Sequence, residues 1–223
     1  TGLSDSMSPG AISRLSQSDA IAFRVRFEGE APPRPLLYWR GPVFWEFDGR
    51  TWRPGDVRSF NEIKFEASGK PYDYEVTLEP HNYNWLFALE LAAKIPPNAR
   101  VTPEYTLLSR TPVRNRVRYD MRSYTNFTEG GADGAEELRP GLLLPEGFNP
   151  RARRLAQQWA AQSASDAAIA QKVLNYFREQ GFVYTLEPPL LGRDSVDEFL
   201  FGSKLGFCEH YASSFVFLMR AAG

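Results

Sequence analysis

Two hydrophobic periods divide this chain. Over 22–27 the residues Ala22-Phe23-Arg24-Val25-Arg26-Phe27 alternate apolar with charged, and Tyr72-Asp73-Tyr74-Glu75-Val76-Thr77-Leu78 does so again. A period of two sends successive side chains to opposite faces, so both segments predict half-buried strands. Shorter strands are predicted around 86–88, 100–102, 106–109 and 116–124. Phe47-Asp48-Gly49-Arg50-Thr51-Trp52 carries the Asp-Gly signal of a tight hairpin. Many short strands broken by Pro and Gly predict an antiparallel, sandwich-like β domain over about residues 1–140.

Beyond that point the period lengthens. The β pattern is lost around Gly130-Gly131-Ala132-Asp133-Gly134, and 142–150 reads as a linker. Leu155, Ala156 and Trp159 share one face of a helix predicted over 151–162. Ile169, Val173, Tyr176 and Phe177 do the same over 166–180, with Ser165 or Asp166 as cap and Gly181 as stop. Residues 182–186 read as extended. Ser195-Val196-Asp197-Glu198 has the spacing of a capping box and opens a short helix. A last helix begins at Cys208, and its apolar residues Tyr211, Ala212, Phe215, Leu218 or Met219, and Ala222 predict the face that anchors it. The fold class is therefore α+β, with a helical segment over about 141–223. Residues 1–20, rich in Ser, Gly and Asp, read as a lead-in along a domain surface.

Composition narrows the functional classes. A net charge of −1 removes any broad electrostatic case for nucleic acid or an anionic membrane surface. The arginines 110, 114, 116, 118 and 122 alternate along one strand and read as a solvated face. One cysteine among 223 residues excludes an internal disulfide framework and a cysteine-based zinc cluster. Acidic residues around Asp133 to Glu137 lack calcium-loop spacing. No metal or other cofactor is expected. Four of the five tryptophans lie in the first half, and Tyr38-Trp39, Phe44-Trp45 and Trp52 read as sandwich core. No apolar run is long enough to span a bilayer. The chain opens on Thr1 without a methionine and reads as an excerpt.

The candidate chemistry is Cys208. A lone cysteine is usually a small buried hydrophobe. This one follows Gly202, Ser203 and Gly206 and starts a helix, where unpartnered N–H groups and the positive end of the dipole favour a thiolate. A nucleophile also needs a base, and the chain has two histidines. His210 is two residues along, about 200° around the helix axis, so its ring faces away from the sulfur and reads as a core hydrogen-bonder. His81 falls among strands and reads as a turn cap.

Three motifs occur in order: Phe182-Val183-Tyr184-Thr185; Asp194-Ser195-Val196-Asp197-Glu198-Phe199-Leu200; and Gly206-Phe207-Cys208-Glu209-His210-Tyr211-Ala212, leading to Leu218-Met219-Arg220-Ala221-Ala222-Gly223. This set resembles the first half of a bacterial transglutaminase-like core, in which Gly-x-Cys opens a helix that ends in Arg-Ala-x-Gly. The earlier motifs Thr1-Gly2-Leu3-Ser4-Asp5-Ser6-Met7-Ser8-Pro9-Gly10, Tyr38-Trp39-Arg40-Gly41-Pro42 and Phe47-Asp48-Gly49-Arg50-Thr51-Trp52 resemble the soluble part that precedes this core in membrane-embedded bacterial members.

The resemblance implies a papain-like core and thioester chemistry on glutamine carboxamides, with an amine acceptor, by a Cys-His-Asp triad. Cys208 matches the nucleophile; the histidine and aspartate would come from strands after Gly223. It further implies a periplasmic domain of an inner-membrane protein that takes protein or peptide substrates. A continuation of the domain would cover apolar surface on Phe215, Phe217 and Met219. A cysteine protease or amidase on the same site, and an idle envelope scaffold, are the alternatives.

Overall fold

The computed structural model describes residues 4–9, 19–55, 66–128 and 139–223. Most of the lead-in, the Gly130 to Gly134 segment and the acidic residues Asp133 to Glu137 lie outside them. In chain order the strands are β1 (Phe23–Phe27), β2 (Trp39–Arg40), β3 (Glu46–Phe47), β4 (Trp52–Arg53), β5 (Glu66–Ala67), β6 (Tyr72–Leu78), β7 (Trp85–Leu86), β8 (Ala88–Leu89), β9 (Leu91–Ala92), β10 (Ala99–Val101), β11 (Leu107–Ser109), β12 (Val117–Tyr124), β13 (Phe127–Thr128), β14 (Val183–Tyr184) and β15 (Leu205–Gly206). The α-helices are α1 (Pro150–Ala161), α2 (Asp166–Glu179), α3 (Ser195–Glu198) and α4 (Cys208–Ala222). The α+β class holds, with antiparallel sheets in the first half and helices later.

Two compact units form, and neither is one continuous stretch. The first takes the described residues of Thr1–Asp5, Ser18–Val43 and Pro54–Asp133; the second takes those of Ser6–Gln17, Phe44–Arg53 and Gly134–Gly223.

In the first unit an antiparallel sheet runs β1-β6-β12-β9, and a second runs β10-β11-β7. The period of two is obeyed closely. Tyr74, Val76 and Leu78 point inward from β6, paired with Met121, Tyr119 and Val117 of β12. These residues share one core with Trp85, Leu89, Val101 and Leu107. The segment read as a strand at 86–88 is split at Phe87. Both backbone groups of Phe87 are taken by the Tyr119 hydroxyl, at 3.0 and 2.9 Å. The Tyr74 hydroxyl accepts from Leu89 N–H and bonds Ser123 Oγ, each at 2.8 Å, and burial pushes its pKa up to about 12. Two buried phenols thus supply hydrogen bonds that a strand ladder would otherwise make.

The outer face of the same sheet is a ladder of ion pairs. Glu79 meets Arg24 and Arg116, Glu75 meets Arg26 and Arg118, and Asp73 takes Arg122 through two bonds at 2.7 and 2.8 Å. The arginines are solvated, as their alternation suggested, and the acidic central strand answers Arg116, Arg118 and Arg122.

The second unit holds α1–α4, the parallel pair β14–β15 and the hairpin β3–β4. Phe47, Trp52, Ala152, Ala156, Val173, Phe199, Phe217 and Leu218 are buried in its core. The tryptophan-rich segment therefore serves two cores: Trp39 packs in the first unit, and Trp52 in the second. The hairpin turns as the Asp-Gly pair suggested. Asp48 Oδ1 accepts from the N–H groups of Arg50 and Thr51, and Gly49 takes φ +105° against the Phe148 ring, where a side chain would not fit.

Helix α2 is capped by Ser165 and is followed by Gly181 at φ +74°, as its sequence predicts. The capping box at Ser195 to Glu198 does not form. Glu198 accepts instead from Gly192 N–H, and Asn149 Oδ1 accepts from Val196 and Asp197 N–H. Asp197 in turn accepts from Arg151 and Ala152 N–H at 2.9 and 2.7 Å. Two helix starts thus cap each other, and a buried carboxylate faces the arginine-rich opening of α1, whose own charges have the wrong sign for the dipole.

Candidate active site

The approach to Cys208 is tightly fixed. After α3 the chain makes a wide turn over Phe199–Ser203, closed by Lys204 N–H donating to Phe199 O at 3.0 Å. Lys204 itself takes a left-handed φ of 53°. β15 then pairs in parallel with β14, with Val183 N–H on Lys204 O and Thr185 N–H on Gly206 O. Gly206 cannot carry a side chain: an added Cβ would lie 2.6 Å from His210 Cγ and 2.9 Å from Phe199 Cε2. That close approach lets the His210 ring pack beneath the strand and seats the first turn of α4.

Cys208 is the first residue of α4 and is exposed. The residue before it, Phe207, is fully buried and has no side-chain acceptor, so among the described residues no side chain caps the helix from that position. His210 N–H is taken by Phe207 O at 2.9 Å and buried Glu209 stands in the same turn, while the positive end of the dipole favours an anion at the thiol's end of the helix.

His210 is turned inward. It is buried, and its Nδ1 accepts from Phe207 N–H at 3.3 Å. With Nδ1 as acceptor, the neutral ring carries its proton on Nε2, and burial holds its pKa below the usual value. This is the core hydrogen-bonder its spacing suggested. His81 lies in the first unit, buried, with Nδ1 accepting from Tyr83 N–H at 3.2 Å. It caps a turn, and burial lowers its pKa too.

Of the face that the apolar pattern predicted for α4, Leu218 is fully buried, Tyr211, Phe215, Met219 and Ala222 pack partly buried against the core, and Ala212 is exposed. Glu209, His210, Ser213, Ser214, Phe217 and Leu218 are buried, whereas Cys208, Ala212 and Val216 form an exposed stripe. Phe217 is fully covered, and the exposed apolar positions are Ala212 and Val216 instead. Ser213 goes inside with a partner there: its Oγ accepts from Trp52 Nε1–H at 2.8 Å. Beside the thiol, Tyr211 stacks with the exposed Tyr184 of β14 at 6.3 Å and 19°.

Sequence reasoning missed the mutual caps of Asn149 and Asp197 and the Trp52–Ser213 bond. The Asn-Pro pair at 149–150 is a local helix-start signal; the other partners stand too far apart in the chain to leave one.

Residues 1–128 match the family model described as the TgpA N-terminal domain, and residues 153–223 match the transglutaminase-like superfamily. The chain belongs to the TgpA family. It is 40% identical over its whole length to a Pseudomonas aeruginosa protein named protein-glutamine gamma-glutamyltransferase, and spans 34% of that relative. An uncharacterized Bacillus subtilis protein, YebA, is 32% identical over 85 residues, which is 37% of this chain and 12% of that protein. The crystal structure of the periplasmic domain of TgpA from P. aeruginosa superposes with a TM-score of 0.93 at 38% identity. The match covers all of this chain and 78% of that one. The same domain bound to ethylmercury gives 0.93 at 39%, covering all of this chain and 80% of that one. The TgpA family membership confirms the transglutaminase-like resemblance carried by the Cys208 motif.

Proposed function

We propose that the full-length protein is a thiol-dependent acyltransferase acting on glutamine carboxamides, with Cys208 as its nucleophile. The observation that carries this reading is an exposed cysteine as the first residue of a helix, inside a transglutaminase-like unit. The thiolate attacks the carboxamide carbon, the C–N bond breaks, and ammonia leaves with a proton, giving a thioester. A primary amine then attacks the thioester and releases the thiol, forming a new amide; water in its place gives the free carboxylate. The helix N-terminus supplies N–H groups to the developing oxyanion.

The base is not drawn from the histidines of this segment. His210 is committed to Phe207 N–H and buried away from the exposed thiol, and His81 caps a turn in the other unit. The proposal takes the histidine and aspartate from residues after Gly223. The TgpA relatives support a place on the periplasmic side of an inner membrane, and a glutamine-bearing protein or peptide as the substrate.

The test is incorporation of a fluorescent primary amine into a glutamine-rich protein by the full-length protein, with ammonia release followed in parallel. Cys208→Ala should lower both by at least about 10³-fold. Unchanged rates in Cys208→Ala overturn the assignment. Cys208-dependent ammonia release without amine incorporation replaces transfer by hydrolysis.

A further inference from the structure

The hairpin β3–β4 lies within the segment matched to the N-terminal family model, yet it grips the helix that carries the thiol. Trp52 and Ser213 are both almost wholly buried, and the indole N–H donates to the serine hydroxyl at 2.8 Å. Phe47 stacks on Trp52 at 4.3 Å and meets Phe217 edge-on at 6.1 Å. Arg220 Nη1 donates to Trp45 O at 2.7 Å, and its guanidinium lies over the Trp52 ring.

The three gripped residues of α4, Ser213, Phe217 and Arg220, lie about 140°, 180° and 120° around the helix axis from Cys208. Apolar contacts such as those of Phe47 tolerate small rotations of a helix. A buried hydrogen bond does not, because it weakens steeply with angle. The Trp52–Ser213 bond both faces away from the thiol and sets a direction between two side chains.

We infer that Trp52, acting through Ser213, is a positioning residue for Cys208, setting the rotation of α4 so that the thiol emerges on the exposed face. The inference rests on Cys208 being the nucleophile proposed above. The transglutaminase-like unit is then incomplete without residues 44–53, although they precede its family match by about a hundred positions.

The experiment uses the full-length protein with Trp52→Phe, which keeps the ring and removes the donor, and Ser213→Ala, which removes one buried oxygen. Each should lower kcat for amine incorporation about tenfold with KM changed less than about twofold. The double variant should be no worse than either single one, because both remove the same bond. Alkylation of Cys208 by iodoacetamide, followed at that residue by peptide mass analysis, should slow about threefold in all three. Phe47→Leu is the control: it loosens the hairpin with the bond intact, and should lower Tm while kcat stays within about twofold.

The inference is overturned if Phe47→Leu and Trp52→Phe lose kcat in proportion to their loss of Tm, or if the Trp52 and Ser213 variants leave kcat and alkylation unchanged. If the full-length protein shows no Cys208-dependent chemistry, the proposed function falls by itself. The alkylation rate then decides the positioning alone, and an unchanged rate overturns it.

Discussion

Strand β6 and helix α4 are both amphipathic, and only in β6 does the buried face exclude charged and other polar side chains except for a phenol. In β6 every inward residue after Tyr72 is apolar or a hydrogen-bonded phenol, and the carboxylates of Asp73 and Glu75 face solvent among arginines. In α4 a glutamate, a histidine and two serines go inside, while alanine, valine and cysteine stay out. Polarity reports exposure only where a polar side chain has nothing better than water to bond. Where distant residues supply partners, a polar group can be buried at little net cost, and the pattern stops marking the face.

The sharpest test of that contrast removes a buried partner. Asp197 is 7% exposed and holds two N–H groups at the start of α1. Asp197→Ala should cost about 2–4 kcal/mol in a urea titration of this segment, because two donors lose a charged acceptor at once. Asp197→Asn should recover only part of the loss, since its amide nitrogen cannot accept. A cost near zero for Asp197→Ala would mean that polar partners do not hold the helical unit together, and the comparison with β6 would collapse.

The same distinction explains what was legible in the sequence. The strands of the first unit, Ser165 as cap, Gly181 as stop and the Asp48-Gly49 turn depend on neighbours a few residues away, and local reasoning found them. The thiol's place at the first residue of α4 is local too, because Gly206 and the following helical run are contiguous with it. The failed box at Ser195 and the burial of Ser213 against Trp52 depend on partners 47 and 161 positions off. Asn149 reaches the Val196 and Asp197 amides at the start of α3, and no window of local periodicity contains both. Phe87 is intermediate: its strand character was visible, but not the Tyr119 hydroxyl that interrupts it.

A smaller effect should appear with pH, and it compares the units directly. His81 in the first and His210 in the second are both buried, and burial holds each pKa below 6.5. The unfolded chain therefore binds protons first as pH falls through 6.5. By linkage, stability is full above that value and declines below it, until the folded pKa values are passed. Tm should drop between pH 7 and 5, before most carboxylates titrate. His210→Asn, whose amide oxygen can accept from Phe207 N–H, and His81→Asn should each flatten part of that slope. An unchanged slope in the double variant would show that neither ring is held neutral by its site.

The smallest effect belongs to the ion-pair ladder, and its smallness is the point. Arg122 is about half exposed and bonds Asp73 through both oxygens, yet the pair replaces two well-hydrated ions with one contact at the water boundary. Arg122→Gln should leave Tm unchanged within error at physiological salt, and raising the salt should not lower the Tm of the unaltered segment. Charge order on this face works by exclusion instead. Glu75 lies between Arg26 of β1 and Arg118 of β12, 3.6 Å from each. Glu75→Lys would set three cations side by side across the sheet, and should lower Tm in low salt and recover in high salt. A large loss from Arg122→Gln, or none from Glu75→Lys, would mean that the outer face holds the sheet together through its pairs. The period of two in β6 would then be recording attraction across strands as well as the boundary between core and water.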